Sequence, residues 1–330
     1  MQPVALTRRG FLAGALALPA LSTVAACAGT VVQPGDLSRL RMMVPASPGG
    51  GWDTTARTLQ RVIQQAGVAR NVQVFNVEGA GGTIGIGQLA REDDDALLMM
   101  MGLVMVGAID TNDSTTRLDD VTPIAQLIAE TELIVVPADS PYDTLEDFVA
   151  GWAADPRGTP IAGGSAGGTD QILAGLLAQA AGIDPVEVNY IAYSGGGESL
   201  AALLGNQVAA GISGTADYGP QVQAGDLKGI AVSTAERSNQ VPDVPTIVES
   251  GFDVEVTNWR GLMARPGMSD GAREDLIALV TEAHDTDEWA EALDANGWLD
   301  TFQTGDEYGE FLAEEETRVR QVLTEIGLIQ

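Results

Sequence analysis

The sequence predicts an α/β protein with two related lobes, and three observations carry that prediction. Short apolar runs of strand length alternate with segments of helical period along most of the chain. Glycine-rich loops recur where strand runs give way to helices. Two of these loops, Ser47-Pro-Gly-Gly-Gly-Trp-Asp53 and Ser165-Ala-Gly-Gly-Thr-Asp170, are alike and stand about 120 residues apart. At 330 residues the chain is long enough for two cores.

The elements follow in order. Leu40 to Val44 reads as a strand. Thr54 to Ala66 reads as a helix, because Ala56, Leu59, Val62, Ile63 and Ala66 share one face and Gly67 stops it. Val72 to Val77 is a strand, residues 84–91 a helix and Ala96 to Met101 a strand. Ile124 to Val136 is a long apolar stretch ending at Pro137, and the Thr144 to Asp147 spacing opens a helix. Pro160 to Ala162 is a short strand, followed by a helix from Asp170 to Ala181. Val186 to Ile191 reads as a strand and Glu198 to Leu204 as a helix. Val208 to Ser213, Gly229 to Ser233 and Asp253 to Ala264 read as extended. Acidic amphipathic helices near 270–284, 287–295 and 305–326 close the chain, the last with a Thr304-x-x-Glu307 capping box.

The N-terminus reads as an export signal, residues 1–26. Arg8 and Arg9 precede an uncharged apolar segment, Phe11 to Ala26, of 16 residues. A spanning helix needs about 20, so the segment fits a signal core and not an anchor. Paired arginines before Phe11-Leu12 resemble a twin-arginine signal, and Val24-Ala25-Ala26-Cys27 resembles a bacterial lipobox. Lipidation at Cys27 would leave 304 residues, tethered by lipid at the outer face of the cytoplasmic membrane, with residues 27–35 as a linker.

Composition excludes several classes. The chain has 46 Asp and Glu against 17 basic residues, a net charge of −29. That argues against nucleic acid, whose phosphates need a basic footprint. One Cys excludes an internal disulfide, and with one His it excludes Cys/His zinc sites. The single Lys, in Leu227-Lys228-Gly229, excludes a Walker A loop. No metal and no cofactor is expected. Asp110-x-Asn112-Asp113 begins like a calcium loop but has Thr115 where the glycine belongs. Asp93 to Asp95 and Glu314 to Glu316 read as solvated faces.

Four glycine loops, 47–53, 78–85, 163–170 and 194–198, sit at strand-to-helix junctions. There, free backbone N–H groups and a helix dipole can hold an anion without a basic side chain. Asp53 and Asp170 read as N-caps. Gly163 to Gly167 also matches the G-x-S-x-G nucleophile elbow, which makes a secreted serine hydrolase using Ser165 the alternative from another class. Its only available base is His284, in an acidic helix with the look of a surface residue.

Residues 44–57 resemble the tripartite tricarboxylate transporter substrate-binding proteins, the TctC or Bug family. The resemblance continues through Glu78 to Gly85, Ser165 to Asp170, Tyr193 to Leu200, Val241 to Thr246 and Asn258-Trp-Arg-Gly261. Gly-Gly-Gly-Trp-Asp and Asn-Trp-Arg-Gly are similar to the tricarboxylate-receptor branch, whereas the broader family more often has Gly-Gly-Pro-Thr-Asp. The resemblance implies a two-lobed periplasmic-binding-protein-like fold of type II, two Rossmann-like lobes joined by crossing strands. Lobe 1 would combine 36–135 with 256–330, and lobe 2 would be 136–255. It implies a monomeric receptor, not an enzyme, that delivers a small carboxylate, citrate-like by first expectation, to integral-membrane subunits. A ligand-binding input protein for a sensor kinase is a further alternative. Carried over by motif, the ligand would meet Ser47, Gly49, Gly50, Gly51, Trp52, Asp53, Gly81, Gly82, Thr83, Ser165, Gly168, Thr169, Asp170, Ser194, Gly195, Gly196 and Glu198. Trp52 would be an apolar wall or lid. Arg260 is added from its own chemistry, a fork suited to a carboxylate, with a structural salt bridge as the competing role.

Overall fold

A computed structural model describes residue 37, residues 39–193 and residues 195–330. The export segment, Cys27 and Ser194 lie outside the described residues. The first unit is β1 (Arg39–Val44), α1 (Gly51–Gln65) and β2 (Asn71–Asn76), with β1 and β2 parallel. The face of α1 predicted from its spacing is the buried one: Ala56, Leu59, Val62 and Ile63 all turn inward. A 3-10 turn at Ala80–Gly82 leads to α2 (Thr83–Leu89), β3 (Leu97–Gly102), α3 (Leu103–Thr111) and β4 (Thr122–Pro137). A second series follows: α4 (Leu145–Ala154), β5 (Ile161–Gly163), α5 (Thr169–Ala180), β6 (Tyr190–Ala192), α6 (Gly196–Leu204), β7 (Ala210–Gly214), α7 (Thr215–Ala224) and β8 (Leu227–Val232). The chain then returns through β9 (Thr257–Ala264), α8 (Asp270–His284), α9 (Asp287–Asn296), β10 (Leu299–Thr304) and α10 (Gly305–Glu325).

The strands run in the order β2-β1-β3-β9-β4-β7-β5-β6, with β8 and β10 also paired to β4. β4 is the common member. Its first half pairs antiparallel with β9 and β10, and its second half, from Glu132, with β7 and β8. Residues 124–137 of β4 are all buried, so it reads as a continuous apolar run and not as an alternation. The polar residues inside that run, Gln126, Glu130, Thr131 and Glu132, therefore need local explanations. The parallel pairs β1–β2 and β5–β6 both turn through a glycine loop into a helix, which places the two similar sequence units in like positions.

Several expectations are corrected. The strand expected at Ala96 to Met101 is present as β3, and Gly102 separates it from α3, a helix not expected there. β10 lies in a stretch with no apolar alternation, and α7 contains Pro220 and Gly219. Val186 to Ile191 is not a strand. Pro185 opens a 3-10 turn in which Val186 N–H donates to Asp184 Oδ1 at 3.1 Å, and β6 begins only at Tyr190. Residues 253–256 precede β9 and are not part of it. Thr304 ends β10 and is the N-cap residue of α10, but its side chain makes no capping hydrogen bond. Thr144 does cap α4, accepting from Asp147 N at 3.1 Å. The acidic runs are only partly solvated: Asp94 pairs with Arg41, Asp95 with Arg265 and Glu316 with Arg117 and Arg320. Glu315 is buried, accepting from Trp259 Nε1 at 2.7 Å. Asp110 is held by Arg117 at 2.7 Å and Arg320 at 3.0 Å, the partners of a structural carboxylate.

Candidate functional site

Asp53 organises the first glycine loop. It is the third residue of α1, not its N-cap, which is Gly50. Its Oδ2 accepts from Gly49 N at 2.9 Å and from Arg57 Nε at 2.8 Å, and its Oδ1 from Asn76 Nδ2 at 2.9 Å. Asn76 also donates to Ala46 O at 2.9 Å, so β2 pins the loop from the other side. Burial pushes the Asp53 carboxyl up, but the hydrogen bonds from Arg57, Gly49 and Asn76 outweigh it and hold it below its ordinary value. Asp170 plays the matching part in the second unit. It is the second residue of α5, whose N-cap is Gly168, and it accepts a short hydrogen bond from Gly164 N.

These loops line one cavity of about 780 Å³. One wall is Pro45 to Trp52 with Gly79 to Gly81, and the other is Gly164, Ser165, Gly195 to Gly197, Ser213, Gly214 and Asp217. Glu130 and Glu132 of β4, Asn258 and Arg260 of β9, and Trp298 complete it. Three helices, α1, α6 and α7, begin at this lining with the glycine N-caps Gly50, Gly195 and Gly214, none capped by a side chain. Their first-turn N–H groups have no intrahelical acceptor, so the cavity gathers donors and positive dipole ends.

Of the residues expected at the site, Ser47, Gly49, Gly50, Gly51, Trp52, Gly81, Ser165, Asp170, Gly195, Gly196 and Arg260 line the cavity. Asp53, Gly82, Thr83, Gly168, Thr169 and Glu198 do not. Asp53 acts through Gly49, and Gly82 leaves room for the Trp52 ring, which a Cβ would meet at 3.0 Å. Thr83 donates to Ala80 O at 2.9 Å. Gly168 leaves room for the Ser165 hydroxyl, Thr169 is buried and Glu198 is exposed on α6. Trp52 is only 8% exposed, held between Gly82 and Gly102, so it is a wall and not a lid.

Arg260 is buried and already engaged. Its Nη2 forms a short ion pair with Glu130 Oε2, and its Nη1 donates to Thr55 Oγ1 at 2.8 Å. Glu130 Oε1 accepts from Trp298 Nε1 at 3.0 Å. The Nε–H of Arg260 has no partner. The guanidinium lies against Gly51, where any Cβ would collide with it.

Of the lining carboxyls, sequence reading named Asp170 but missed Glu130, Glu132 and Asp217. Glu132 is wholly buried, with Asn258 and Asp170 as its side-chain neighbours, and the Asn258 hydrogen bond only partly offsets the burial. Burial first, then the charges of Asp170 and Glu130, raise it well above the ordinary carboxylate value. Burial also raises Asp170, to about 7, despite the Gly164 N–H and with the charge of Asp217 adding to the rise. Asp217 is raised by burial, although Ser213 Oγ donates to it at 2.8 Å. The one available signal was Glu130-Thr131-Glu132 inside an otherwise apolar strand.

Ser165 has no base. His284 stacks on Phe302 with ring centroids 3.9 Å apart, bonds to Asp285 and Asp300, and does not line the cavity. The elbow motif is a loop of the cavity wall without a triad.

Residues 55–328 match the profile of the tripartite tricarboxylate transporter family receptor, TctC. The chain belongs to that family. The chain is similar to BugT of Bordetella pertussis, 28% identical over 87% of this chain and 89% of BugT. A UPF0065 protein of Agrobacterium vitis is 30% identical over 74% of this chain and 71% of its own length. Among solved structures, MatC from Rhodopseudomonas palustris with bound malate is similar at a TM-score of 0.73 and 25% identity, covering 86% of this chain and 98% of MatC. The periplasmic binding protein BugD is similar in fold at a TM-score of 0.74 and 23% identity, covering 88% of this chain and 98% of BugD. As a member of that receptor family, the chain is an exported solute-binding receptor and not an enzyme.

Proposed function

We propose that the chain captures a small carboxylate in this cavity and presents it to the integral-membrane subunits of a tripartite transporter. The observation that carries the reading is the convergence of three uncapped helix N-termini and the spare Arg260 Nε–H on one cavity. The malate bound by MatC supports the same class of ligand. A citrate-like tricarboxylate fits less well. One guanidinium serves the lining, and it is already paired, against four carboxyl groups, Glu130, Glu132, Asp170 and Asp217. One or two ligand carboxylates at the Ser47–Gly51 wall suit that balance better than three.

The proposal includes two lobes, 36–135 with 256–330 and 136–255, closing about the strand β4 that both share. It also includes a monomer anchored by lipid at Cys27. Calorimetry of the purified protein against mono-, di- and tricarboxylates tests the ligand class. Saturable binding of at least one is expected, and binding of none overturns the reading. Metabolic labelling with palmitate tests the anchor, with label expected in the native chain and none in Cys27→Ala.

A further inference from the structure

The charge of the chain is unevenly placed. Residues 37–77, which form β1, α1 and β2, carry five arginines and one acid, Asp53, whereas residues 78–330 carry 44 acids and ten basic residues. Asp53 is buried and holds Arg57, and Arg41 is paired with Asp94. Arg39, Arg61 and Arg70 are exposed, and none of the three is ion-paired among the described residues. The Arg61 guanidinium donates to Thr58 Oγ1 at 3.2 Å. In a chain with 46 acids, arginines that meet no carboxylate call for an explanation.

The fold gathers these three at one corner. β2 stands at the edge of the sheet, paired among the described strands with β1 alone, and Arg39 is the register partner of Asn71, the neighbour of Arg70. α1 lies along β2, with Gln60 Nε2 donating to Val72 O at 2.8 Å and Gln64 Nε2 to Arg70 O at 3.5 Å. Arg61 follows Gln60 and precedes Gln64 by three positions, which puts it on that flank of the helix. The corner is at the N-terminal end of β1. The other end of β1 leads into the Ser47–Gly51 wall of the cavity, so the arginines stand apart from the ligand wall.

We propose that this corner docks on the phosphate headgroups of an anionic membrane surface and fixes which face of the receptor looks at the bilayer. The inference goes beyond solute binding and rests on the lipid-anchored reading above. Two observations select the occupant. The patch is basic on an otherwise acidic body, and guanidinium forks match phosphate oxygens. The chain also enters the fold there, since Arg39 comes twelve positions after Cys27, and a lipid on Cys27 would tether the protein at this corner. A second copy meeting the corner by two-fold symmetry would bring arginine against arginine.

Each arginine near an anionic surface weights the docked orientation roughly fivefold. Salt confines that attraction to about 10 Å or less, so the corner counts and the distant acids hardly do. An orientation with an acidic face toward the same lipids is repelled instead. The lipid holds the chain at the membrane, and the arginines choose how it stands.

The test reads that orientation in the full native chain reconstituted into vesicles. A fluorophore is placed at Gln73→Cys on β2 or at Glu146→Cys on α4, both exposed, and quenched by nitroxide-headgroup lipid. In vesicles of equal parts phosphatidylglycerol and phosphatidylcholine, the Gln73 label is expected to be quenched at least about threefold more than in phosphatidylcholine alone. The excess should vanish at about 0.5 M salt and be absent at Glu146. Arg39→Glu/Arg61→Glu/Arg70→Glu should abolish it, with melting temperature and carboxylate binding unchanged. If palmitate labelling shows no lipid on Cys27, co-sedimentation of the unlabelled protein with the same vesicles replaces quenching, and the same dependence on lipid charge and on the three arginines is expected. Equal signals on both lipids, equal quenching at both labels, or an unaltered signal in the triple variant overturns the inference and leaves the solute receptor standing. Loss of solute uptake in the triple variant without any lipid dependence assigns the corner to an acidic protein partner and overturns the membrane proposal as well.

Discussion

Arg260 of β9 and Glu130 of β4 form a buried ion pair at the edge of the cavity, closed on one side by Thr55 and on the other by Trp298. The pair ties the start of α1 to the strand shared by both halves of the sheet. Removing one partner leaves the other charge buried alone, which costs about 3–5 kcal/mol. Arg260→Met and Glu130→Met are each expected to destabilise by that order in urea unfolding. The double variant should cost less than the sum by more than about 1 kcal/mol. Additive losses would show the pair to be uncoupled.

Gly51→Ala places a methyl against the Arg260 guanidinium. The side chain must move, and with it the spare Nε–H, so carboxylate affinity is expected to fall tenfold or more. Gly271→Ala is the control, because its Cβ meets nothing within 4 Å, it lies inside α8 and it is not part of the cavity lining. Its melting temperature should hold or rise slightly, since alanine favours a helix over glycine by up to about 1 kcal/mol.

Gly107 of α3 touches the carbonyl of Gly167 in the second glycine loop, and a Cβ there would strike it. Backbone cannot swing aside as a side chain can. Gly107→Ala is therefore expected to destabilise by about 1–3 kcal/mol and to weaken ligand binding, with chemical unfolding and calorimetry as the two measurements.

The carboxyls make stability depend on pH with two opposite signs. Asp170 and Glu132 hold protons more tightly in the folded chain than when unfolded. Their contribution is complete below about pH 4 and is lost as pH rises toward 7. The melting temperature of the ligand-free protein should therefore fall between pH 5 and 8, and Asp170→Asn or Glu132→Gln should flatten the fall. Asp53 is held below its ordinary value, so its contribution is present above about pH 4 and lost in stronger acid. Asp53→Asn should remove part of that acid-side loss.

Local patterning carried much of the architecture. The buried face of α1, the cap of α4 and the strand-loop-helix position of the glycine loops all depend on neighbours a few residues apart, so spacing reveals them. Elements that break local rules were hidden. α7 folds around Pro220 because its neighbours bury Tyr218, and β10 is extended because β4 pairs with it. Asp53 and Asp170 read as caps because a carboxylate beside a glycine loop is ordinarily one. Their hydrogen bonds run back to Gly49 and Gly164, a distinction of geometry and not of residue type.

Residue order and type were enough to mark which loops would be glycine-rich, which helices would follow them and that the chain lacks the residues for zinc, disulfide or Walker A chemistry. They could not reveal what faces those loops. Arg260 stands 130 positions from Glu130, and Glu132, Asp170 and Asp217 come from a strand and two helices. Whether an arginine is a free ligand or half of an ion pair, and whether a glutamate is solvated or buried among other carboxyls, depends on contacts between distant segments. Those contacts set the local dielectric and the hydrogen bonds, and these in turn set the charge that a ligand meets.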